Sequence, residues 1–210
     1  MKINYLVIEG NIGAGKTSLA KMIARDFGAR MLPERFKDNP FLPKFYEDEQ
    51  KYAFPLEMSF LADRYRQLKN DFTQPELFSS FLVSDYYFTK SLIFAQNTLS
   101  DDELRLYGQF FEIVYDKIPK PDLYVFLHAE PEVLLKNIRL RNRDYERNIQ
   151  RNYLEKISAG YLAYLKQERD FPVLLINSTN LDFVKNGGHY KKISSLIFDH
   201  EYIPGIQVAE

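Results

Sequence analysis

Residues Gly10 to Ser18, Gly-Asn-Ile-Gly-Ala-Gly-Lys-Thr-Ser, constrain the fold of this chain more than any other segment. They match the pattern G-x-x-x-x-G-K-[ST], and they follow the apolar run Tyr5–Ile8, which predicts a buried strand. Glycines let backbone N–H groups turn towards phosphate oxygens, and the start of the following helix favours negative charge. Strand, loop and helix in this order predict a phosphate-binding loop for a nucleoside triphosphate.

Two side chains of the loop carry specific expectations. Lys16 is expected to reach the β- and γ-phosphates, and Thr17 to offer its hydroxyl to Mg²⁺. We expect ATP as the phosphate donor, with Mg²⁺ as the cofactor. The residues predicted to bind ATP here are Gly10, Asn11, Ile12, Gly13, Ala14, Gly15, Lys16, Thr17 and Ser18.

Composition limits the remaining classes of function. The 210 residues are 45% hydrophobic, which suits a single α/β domain over residues 1–210 with a substantial core. A net charge of −1 gives no electrostatic reason to expect nucleic-acid binding, so a small-molecule acceptor is expected. The chain has no cysteine, and its apolar runs are too short to span a bilayer. We therefore expect a cytoplasmic protein without membrane contact.

Short apolar runs alternate with helical patterns along the chain, which is typical of a parallel sheet with helices on both faces. Five strands are predicted, at Tyr5–Ile8, Ala29–Leu32, Phe81–Ser84, Leu123–Leu127 and Val173–Ile176. Helices are predicted at about Lys16–Phe27, Pro40–Asp48, Tyr52–Asp71, Thr89–Thr98, Asp101–Lys117, Pro131–Arg141, Asn152–Arg169 and His189–Asp199. Ligands of such folds lie beyond the carboxyl ends of the strands.

Carboxylates follow two of these strands. Glu34 comes after the second strand and Asp85 after the third. Either residue could simply cap a helix, but a hydroxyl acceptor needs a carboxylate to orient it and accept its proton, and Mg²⁺ needs oxygen ligands. We assign Glu34 the first role and Asp85 the second, directly or through water. Glu57 lies on a predicted helix, where a solvated face is an equal alternative.

An arginine-rich segment, Arg139 to Arg147, ends the sixth predicted helix. Charge runs usually form solvated faces. Phosphoryl transfer, however, places charge on oxygens that mobile guanidinium groups stabilise. We predict a lid at about residues 139–151, with Arg141 and Arg143 in catalysis and Arg139 in ATP binding. The three histidines show no metal-ligand spacing.

Together these motifs resemble the deoxyribonucleoside kinase family over nearly the whole chain. Its phosphate loop and the stretch with its catalytic glutamate match Gly10–Ser18 and Glu34 with Asn39-Pro40-Phe41-Leu42. The resemblance implies a P-loop kinase fold and a base, Glu34, for the sugar 5′-hydroxyl. It implies that Tyr46 and Glu146 contact the 3′-hydroxyl. It also implies that Asp182 and Phe183 lie in the loop near the donor adenine.

The sequence departs from the family pattern at positions expected to contact the base and the metal ion. Glu57 stands where the family has a glutamine that reads the base, and a carboxylate only accepts hydrogen bonds. Arg64 matches a family arginine near the base and could supply a donor. The arginine of the family's acidic-Arg-Ser motif is absent after Asp85, and another alignment puts Ser84 in the acidic position.

Several readings of function follow. The resemblance implies transfer of the ATP γ-phosphate to a deoxynucleoside in nucleotide salvage, with deoxyadenosine favoured and deoxycytidine next. A nucleoside monophosphate kinase similar to thymidylate kinase is the enzyme alternative, and a non-catalytic nucleotide-binding regulator is the other. Family members are commonly homodimers. An apolar seam for this contact could come from Leu92, Ile93, Phe94, Phe110, Phe111 and Val114.

Overall fold

A computed structural model describes residues 3–35, 39–73 and 80–209. Its elements divide into two compact units, and we describe each separately. The sheet unit comprises Met1–Pro33, Glu76–Tyr87 and Lys120–Glu210, and the helical unit comprises Glu34–Pro75 and Phe88–Pro119. The single domain predicted over residues 1–210 stays a prediction.

The sheet unit contains a parallel sheet in the order β2-β3-β1-β4-β5-β6. Its strands are β1 Tyr5–Gly10, β2 Arg30–Leu32, β3 Leu82–Ser84, β4 Leu123–His128, β5 Pro172–Asn177 and β6 Gly205–Ala209. Its α-helices are α1 Lys16–Phe27, α6 Pro131–Arg141, α7 Arg151–Leu165 and α8 Gly187–Phe198, and a 3₁₀ turn covers Asp144–Glu146. The predicted α/β fold with a parallel sheet is confirmed.

The sheet has six strands where the sequence predicted five, a minor correction. The additional strand β6 is parallel to β5, with Ile206 opposite Val173. It lies at the edge of the sheet, where Val208 is 66% exposed. An edge strand lacks the continuous apolar run of a strand buried on both faces, and that run was the signal used for the other five.

Helices cover both faces of the sheet. Leu6 and Ile8 of β1 belong to a buried cluster with Leu19 of α1 and Ile193 of α8. On the other face, the ring of Phe126 in β4 lies 5.0 Å from that of Tyr161 in α7. Because successive side chains of a strand point to opposite faces, β1 and β4 are buried on both. This packing fixes the ends of the strands from which the functional loops leave.

The helical unit consists of α2 Phe41–Glu47, α3 Glu49–Thr73, α4 Lys90–Thr98 and α5 Asp101–Tyr115. Its interior is aromatic: the ring of Phe111 lies 5.2 Å from those of Phe88 and Tyr115. A capping box opens α5, since the N–H of Ser100 donates to the carboxylate of Glu103 at 3.0 Å. Among the described residues, no helix is long and apolar enough to cross a membrane. The cytoplasmic location stays a prediction.

Candidate active site

The predicted phosphate loop joins β1 to α1 in the sheet unit. Gly13 and Gly15 adopt φ values of 85° and 88°, a conformation that favours glycine. A Cβ atom on Gly13 would lie 2.6 Å from the carbonyl oxygen of Leu134, and one on Gly15 would lie 2.7 Å from the ring of Phe183. These two positions therefore require glycine for space as well as for backbone conformation.

Two asparagine side chains attach the loop to helices. Nδ2 of Asn11 donates to the carbonyl of Leu154 and to Oγ of Ser158 in α7, both at 2.7 Å. Nδ2 of Asn137 in α6 donates to the carbonyl of Gly13 at 2.9 Å. Asn11 was predicted only as part of the loop motif, and Asn137 was not predicted. Both anchor the loop backbone in place.

Lys16 and Thr17 occupy the first turn of α1. Nζ of Lys16 donates to the carbonyls of Gly10 and Asn11 at 2.8 and 3.0 Å, across the mouth of the loop. The hydroxyl of Thr17 donates to the carboxylate of Asp85, which is buried. Ser84, the other candidate for the acidic position, instead donates to the carbonyl of Tyr86 at 2.8 Å. The structure thus brings Asp85, and not Ser84, to Thr17.

A buried carboxylate that the sequence analysis missed lies immediately before the loop. Glu9 of β1 is fully buried, and it accepts hydrogen bonds from the N–H of Tyr87 at 2.9 Å and of Gly10 at 3.1 Å. The hydroxyl of Tyr161 also donates to it, at 3.1 Å. The signal was an ionisable residue in an otherwise apolar strand, a position where such groups need partners.

A cavity of about 610 Å³ opens beside the loop, within the sheet unit. Its lining includes Gly13–Ser18, together with Arg141, Arg143, Asp182 and Phe183. The structure therefore brings the second half of the loop, the two arginines predicted to act in catalysis and the predicted adenine loop to one cavity. Arg139 is exposed and does not belong to that lining, and its role stays a prediction.

Two arginines of the predicted lid contact an acidic residue. Arg141 donates through Nε and Nη2 to Oε2 of Glu146, at 3.0 and 2.6 Å. Nη1 of Arg143 lies 3.3 Å from Oε1 of the same carboxylate. The side chain of Glu146 is 6% exposed, whereas Arg147 pairs with Asp144 in solvent. Glu146 thus holds the two arginines predicted to act in catalysis.

In the helical unit, Glu34 forms an ion-pair cluster with Arg64 of α3 and Lys90 of α4. Nη2 of Arg64 lies 2.7 Å from Oε1 of Glu34, and Nζ of Lys90 lies 2.5 Å from Oε2. All three side chains are at most 11% exposed. Burial alone raises the pKa of Glu34, but the charges of Lys90 and Arg64 outweigh it and lower the pKa to about 2. Glu34 is therefore a carboxylate throughout the neutral range.

Lys90 was not predicted as a site residue. It is the first residue of α4, where the helix dipole disfavours a cation unless an acidic partner compensates. A lysine at the first position of a helix was therefore the sequence signal that an acidic partner lies near Lys90. Lys90 supplies a cation to Glu34 in a chain that lacks the family's arginine after Asp85.

Glu57 and Tyr46 lie on neighbouring helices of the same unit. Glu57 of α3 is 2% exposed, so the solvated face considered for it is excluded. Burial raises its pKa to about 7, although the charge of Arg64, the hydroxyl of Thr98 and the charge of Lys90 oppose the rise. Tyr46 of α2 is half-buried against Phe45, with 5.4 Å between ring centroids. Arg64, predicted near the base, is engaged with Glu34 and, at 2.6 Å, with Ser91.

A glycine-rich phosphate loop between the first strand and first helix of a parallel sheet that carries helices on both faces defines the P-loop kinase fold. The model of the deoxynucleoside kinase family matches residues 6–202. The chain belongs to the deoxynucleoside kinase family. It is accordingly an enzyme, an ATP-dependent phosphotransferase.

Individual relatives agree with this assignment. The chain is similar to deoxyguanosine kinase of Bacillus subtilis, with 35% identity over 91% of this chain and 94% of that protein. It is 27% identical to deoxyadenosine/deoxycytidine kinase of the same organism, over 95% and 96% of the two chains. The structure of deoxyadenosine kinase from M. mycoides with the products dCMP and a flexible dCDP superposes with a TM-score of 0.81. It is 22% identical and covers 93% of this chain and all of that one, which shows the fold.

Proposed function

We propose that this enzyme transfers the γ-phosphate of ATP to the 5′-hydroxyl of a deoxynucleoside in nucleotide salvage. The observation that carries the proposal is the buried carboxylate of Glu34, kept ionised by Arg64 and Lys90. A neutral hydroxyl acceptor needs such a group to orient it and receive its proton. Because the transition state of phosphoryl transfer is loose, a weakly basic carboxylate is sufficient for this task.

On the donor side, the proposal assigns the phosphates to the loop and Lys16. The oxygen atoms of Thr17 and Asp85, joined by a hydrogen bond, suit a Mg²⁺ ion, which takes few protein ligands and keeps water and phosphate oxygens. When bound, Mg²⁺ supplies positive charge to the transferring phosphate. Asp182 and Phe183 are proposed to contact the donor base. The contacts of Tyr46 and Glu146 with the sugar stay predictions.

An ATP-consumption assay tests the proposal against its alternatives. We expect turnover with at least one of the four deoxynucleosides and none with the four deoxynucleoside monophosphates. A monophosphate kinase needs cations for an anionic acceptor, whereas the cations of the Glu34 cluster are paired with a carboxylate. Turnover only with monophosphates would establish the thymidylate kinase-like alternative. No turnover with either class would favour the non-catalytic regulator.

The lid, proposed at about residues 139–151, provides a further test. Replacing Arg141 or Arg143 by alanine is expected to lower kcat by about 10- to 1000-fold with a smaller change in the KM of the deoxynucleoside, because the guanidinium charges act mainly in the transition state. Arg147→Ala, which removes an exposed arginine of the same segment, serves as the control. Steady-state kinetics of the three variants would contradict the proposal if only the acceptor KM changed.

A finer question is which base the acceptor nucleoside carries. The sequence favours deoxyadenosine and then deoxycytidine, each of which offers an exocyclic amine to Glu57 and a ring nitrogen that accepts a hydrogen bond. A specific observation adds deoxyguanosine as a second candidate. Oε2 of Glu57 is buried and has no hydrogen-bond partner among the described residues, and guanine presents two adjacent donors to a carboxylate. A relative at 35% identity is a deoxyguanosine kinase.

A homodimer is also proposed, through α5. Leu106, Phe110 and Ile113 lie on one stripe of this helix and are 45%, 44% and 64% exposed. Ile93 and Phe111, considered for the seam, are instead buried inside the helical unit. We expect Ile113→Asp to convert a dimer into a monomer in light scattering after gel filtration, with Glu112→Lys, on another side of α5, as the control. A monomeric wild-type enzyme would contradict the proposal.

A further inference from the structure

Glu9 lies at the point where the backbone ladder between β1 and β3 has ended. The last pair of that ladder is Val7 with Ser84, whereas β1 continues beside β4 as far as Gly10. The chain that follows β3, Asp85-Tyr86-Tyr87, is nevertheless buried. Buried backbone N–H groups need acceptors, so beyond Ser84 this segment depends on contacts other than the ladder.

The carboxylate of Glu9 supplies such a contact and joins two backbone segments. Its Oε1 atom accepts the N–H of Tyr87 at 2.9 Å, and its Oε2 atom accepts the N–H of Gly10 at 3.1 Å. The side chain is fully buried. A carboxylate only accepts hydrogen bonds, so it suits a position on which donors converge. One side chain therefore connects the first residue of the phosphate loop to the segment after β3.

Each of the two joined segments leads to one of the oxygen ligands proposed for Mg²⁺. Asp85 lies two residues before Tyr87, and Thr17 follows the loop that Gly10 begins. The hydroxyl of Thr17 donates to the carboxylate of Asp85, so the two side chains are in contact. Because peptide units are planar and stiff, fixing the N–H of Tyr87 leaves little freedom for Asp85. The separation that Glu9 imposes on the segments is thus transmitted to these two ligands.

We propose that Glu9 is a positioning residue that holds Asp85 against Thr17 for the binding of Mg²⁺ with ATP. The inference rests on the proposed function, which assigns the metal ion to these two side chains. Mg²⁺ demands near-ideal octahedral geometry, so a small shift of the segment after β3 relative to the loop weakens its binding. A carboxylate that served only to satisfy buried N–H groups would affect stability and leave the contribution of the metal ion to ATP binding unchanged.

The test is the gain in ATP affinity that Mg²⁺ provides, measured by titration calorimetry as the Kd for ATP in EDTA divided by the Kd in Mg²⁺. In Glu9→Gln, two backbone N–H groups face one amide oxygen and one amide nitrogen, so one link is lost in either orientation of the amide. We expect the ratio to fall by about tenfold, the scale of a lost hydrogen bond to a charged group. The KM of the deoxynucleoside should stay near that of the wild type. A Glu9→Gln enzyme with the wild-type ratio would overturn the inference.

Tyr161→Phe is the matched control. The hydroxyl of Tyr161 in α7 also donates to Oε2 of Glu9, at 3.1 Å, but it belongs to neither of the two joined segments. The substitution perturbs the same buried carboxylate, so we expect lower thermal stability with the wild-type ratio of Kd values. An equal fall of the ratio in Tyr161→Phe and Glu9→Gln would contradict the proposed link, since any disturbance of the carboxylate would then have the same effect.

A double-mutant cycle shows whether Glu9 acts through Asp85. Asp85→Ala removes a proposed ligand and should itself lower the ratio of Kd values. If Glu9 acts by placing Asp85, then Glu9→Gln should change the ratio little further in the Asp85→Ala background. Losses that add fully in the double variant would show that Glu9 acts elsewhere and would refute the proposed role.

Amide hydrogen exchange of the wild-type enzyme keeps the inference testable if Glu9→Gln does not fold. ATP in EDTA engages the phosphate loop without the metal ion. Because Glu9 joins the two segments, we expect this ATP to slow exchange at the N–H of Tyr87 as well as at that of Gly10. Unchanged exchange at Tyr87 in the ATP complex would overturn the inference. A wild-type enzyme that binds no ATP, or binds it equally with and without Mg²⁺, refutes the proposed donor site itself, and the inference with it.

Discussion

Replacement of Lys16 by alanine is expected to lower kcat by about two to three orders of magnitude, one of the two largest effects expected for this enzyme. Nζ of Lys16 donates to two carbonyls of the phosphate loop. In the proposed function it contacts the β- and γ-phosphates during the reaction. The substitution removes that charge without removing a buried apolar group, so the fold should be retained. Single-turnover kinetics with saturating ATP would measure the effect directly.

Lys21 provides a matched control for this substitution. It lies on the same helix and is exposed, so Lys21→Ala removes an equal charge away from the loop. We expect its kcat to stay close to that of the wild type. A Lys16→Ala enzyme with thermal stability and kcat both near the wild-type values would remove Lys16 from the mechanism and weaken the assignment of the loop as the catalytic phosphate site.

The second large effect is expected from Glu34→Gln. The amide keeps the shape of the side chain but cannot accept the proton of the 5′-hydroxyl, so kcat should fall by about two orders of magnitude or more while ATP binding persists. The structure adds a cost in stability, because Arg64 and Lys90 would remain buried without a compensating charge. That cost is on the order of 3 kcal/mol in the free energy of unfolding. Glu47→Gln, an exposed change nearby in the sequence, is the control.

The stability cost of Glu34→Gln has a definite pH dependence. The pKa of Glu34 is lowered in the folded protein from its ordinary value of 4.5 to about 2, so its ion pairs contribute stability fully above about pH 4.5 and lose it as the pH falls towards about 2. The difference in unfolding free energy between wild type and variant should therefore shrink in acid. Denaturant unfolding at pH 7 and pH 3 measures it. An unchanged kcat would exclude Glu34 as the base, whatever the stability.

Much of the fold follows from local patterns. The phosphate loop, the capping box at Ser100 and five strands were predictable because glycine conformation, helix capping and burial on both faces act through neighbouring residues. Strand β6 was not, because the partly exposed edge position of Ile206 and Val208 leaves no strong apolar run. The division into two compact units was also beyond the sequence, because it depends on which distant segments pack together.

Prediction of the site was limited in the same way, because local patterns can be read from the sequence whereas contacts between distant segments cannot. Glu34 and Asp85 could be proposed from the sequence because the residues after parallel strands meet at one edge of a sheet. The partnership of Glu34 with Lys90, 56 positions later, depends on how α3 and α4 pack and is not a local property. Arg64 was identified by resemblance as a group near the base, whereas its guanidinium contacts Glu34. The unpartnered oxygen of Glu57 became visible only once its burial was known.

The two asparagine anchors of the phosphate loop also constrain the segment proposed as the lid. Asn137 holds α6 to the loop and Asn11 holds α7, and the proposed lid runs from the end of the first helix to the start of the second. Both ends of the intervening segment, about nine residues between Arg141 and Arg151, are thus tethered to the loop proposed to bind the phosphates. A lid in this segment would therefore move between two fixed ends. The entropy cost of bringing those ends together is already met in the folded chain.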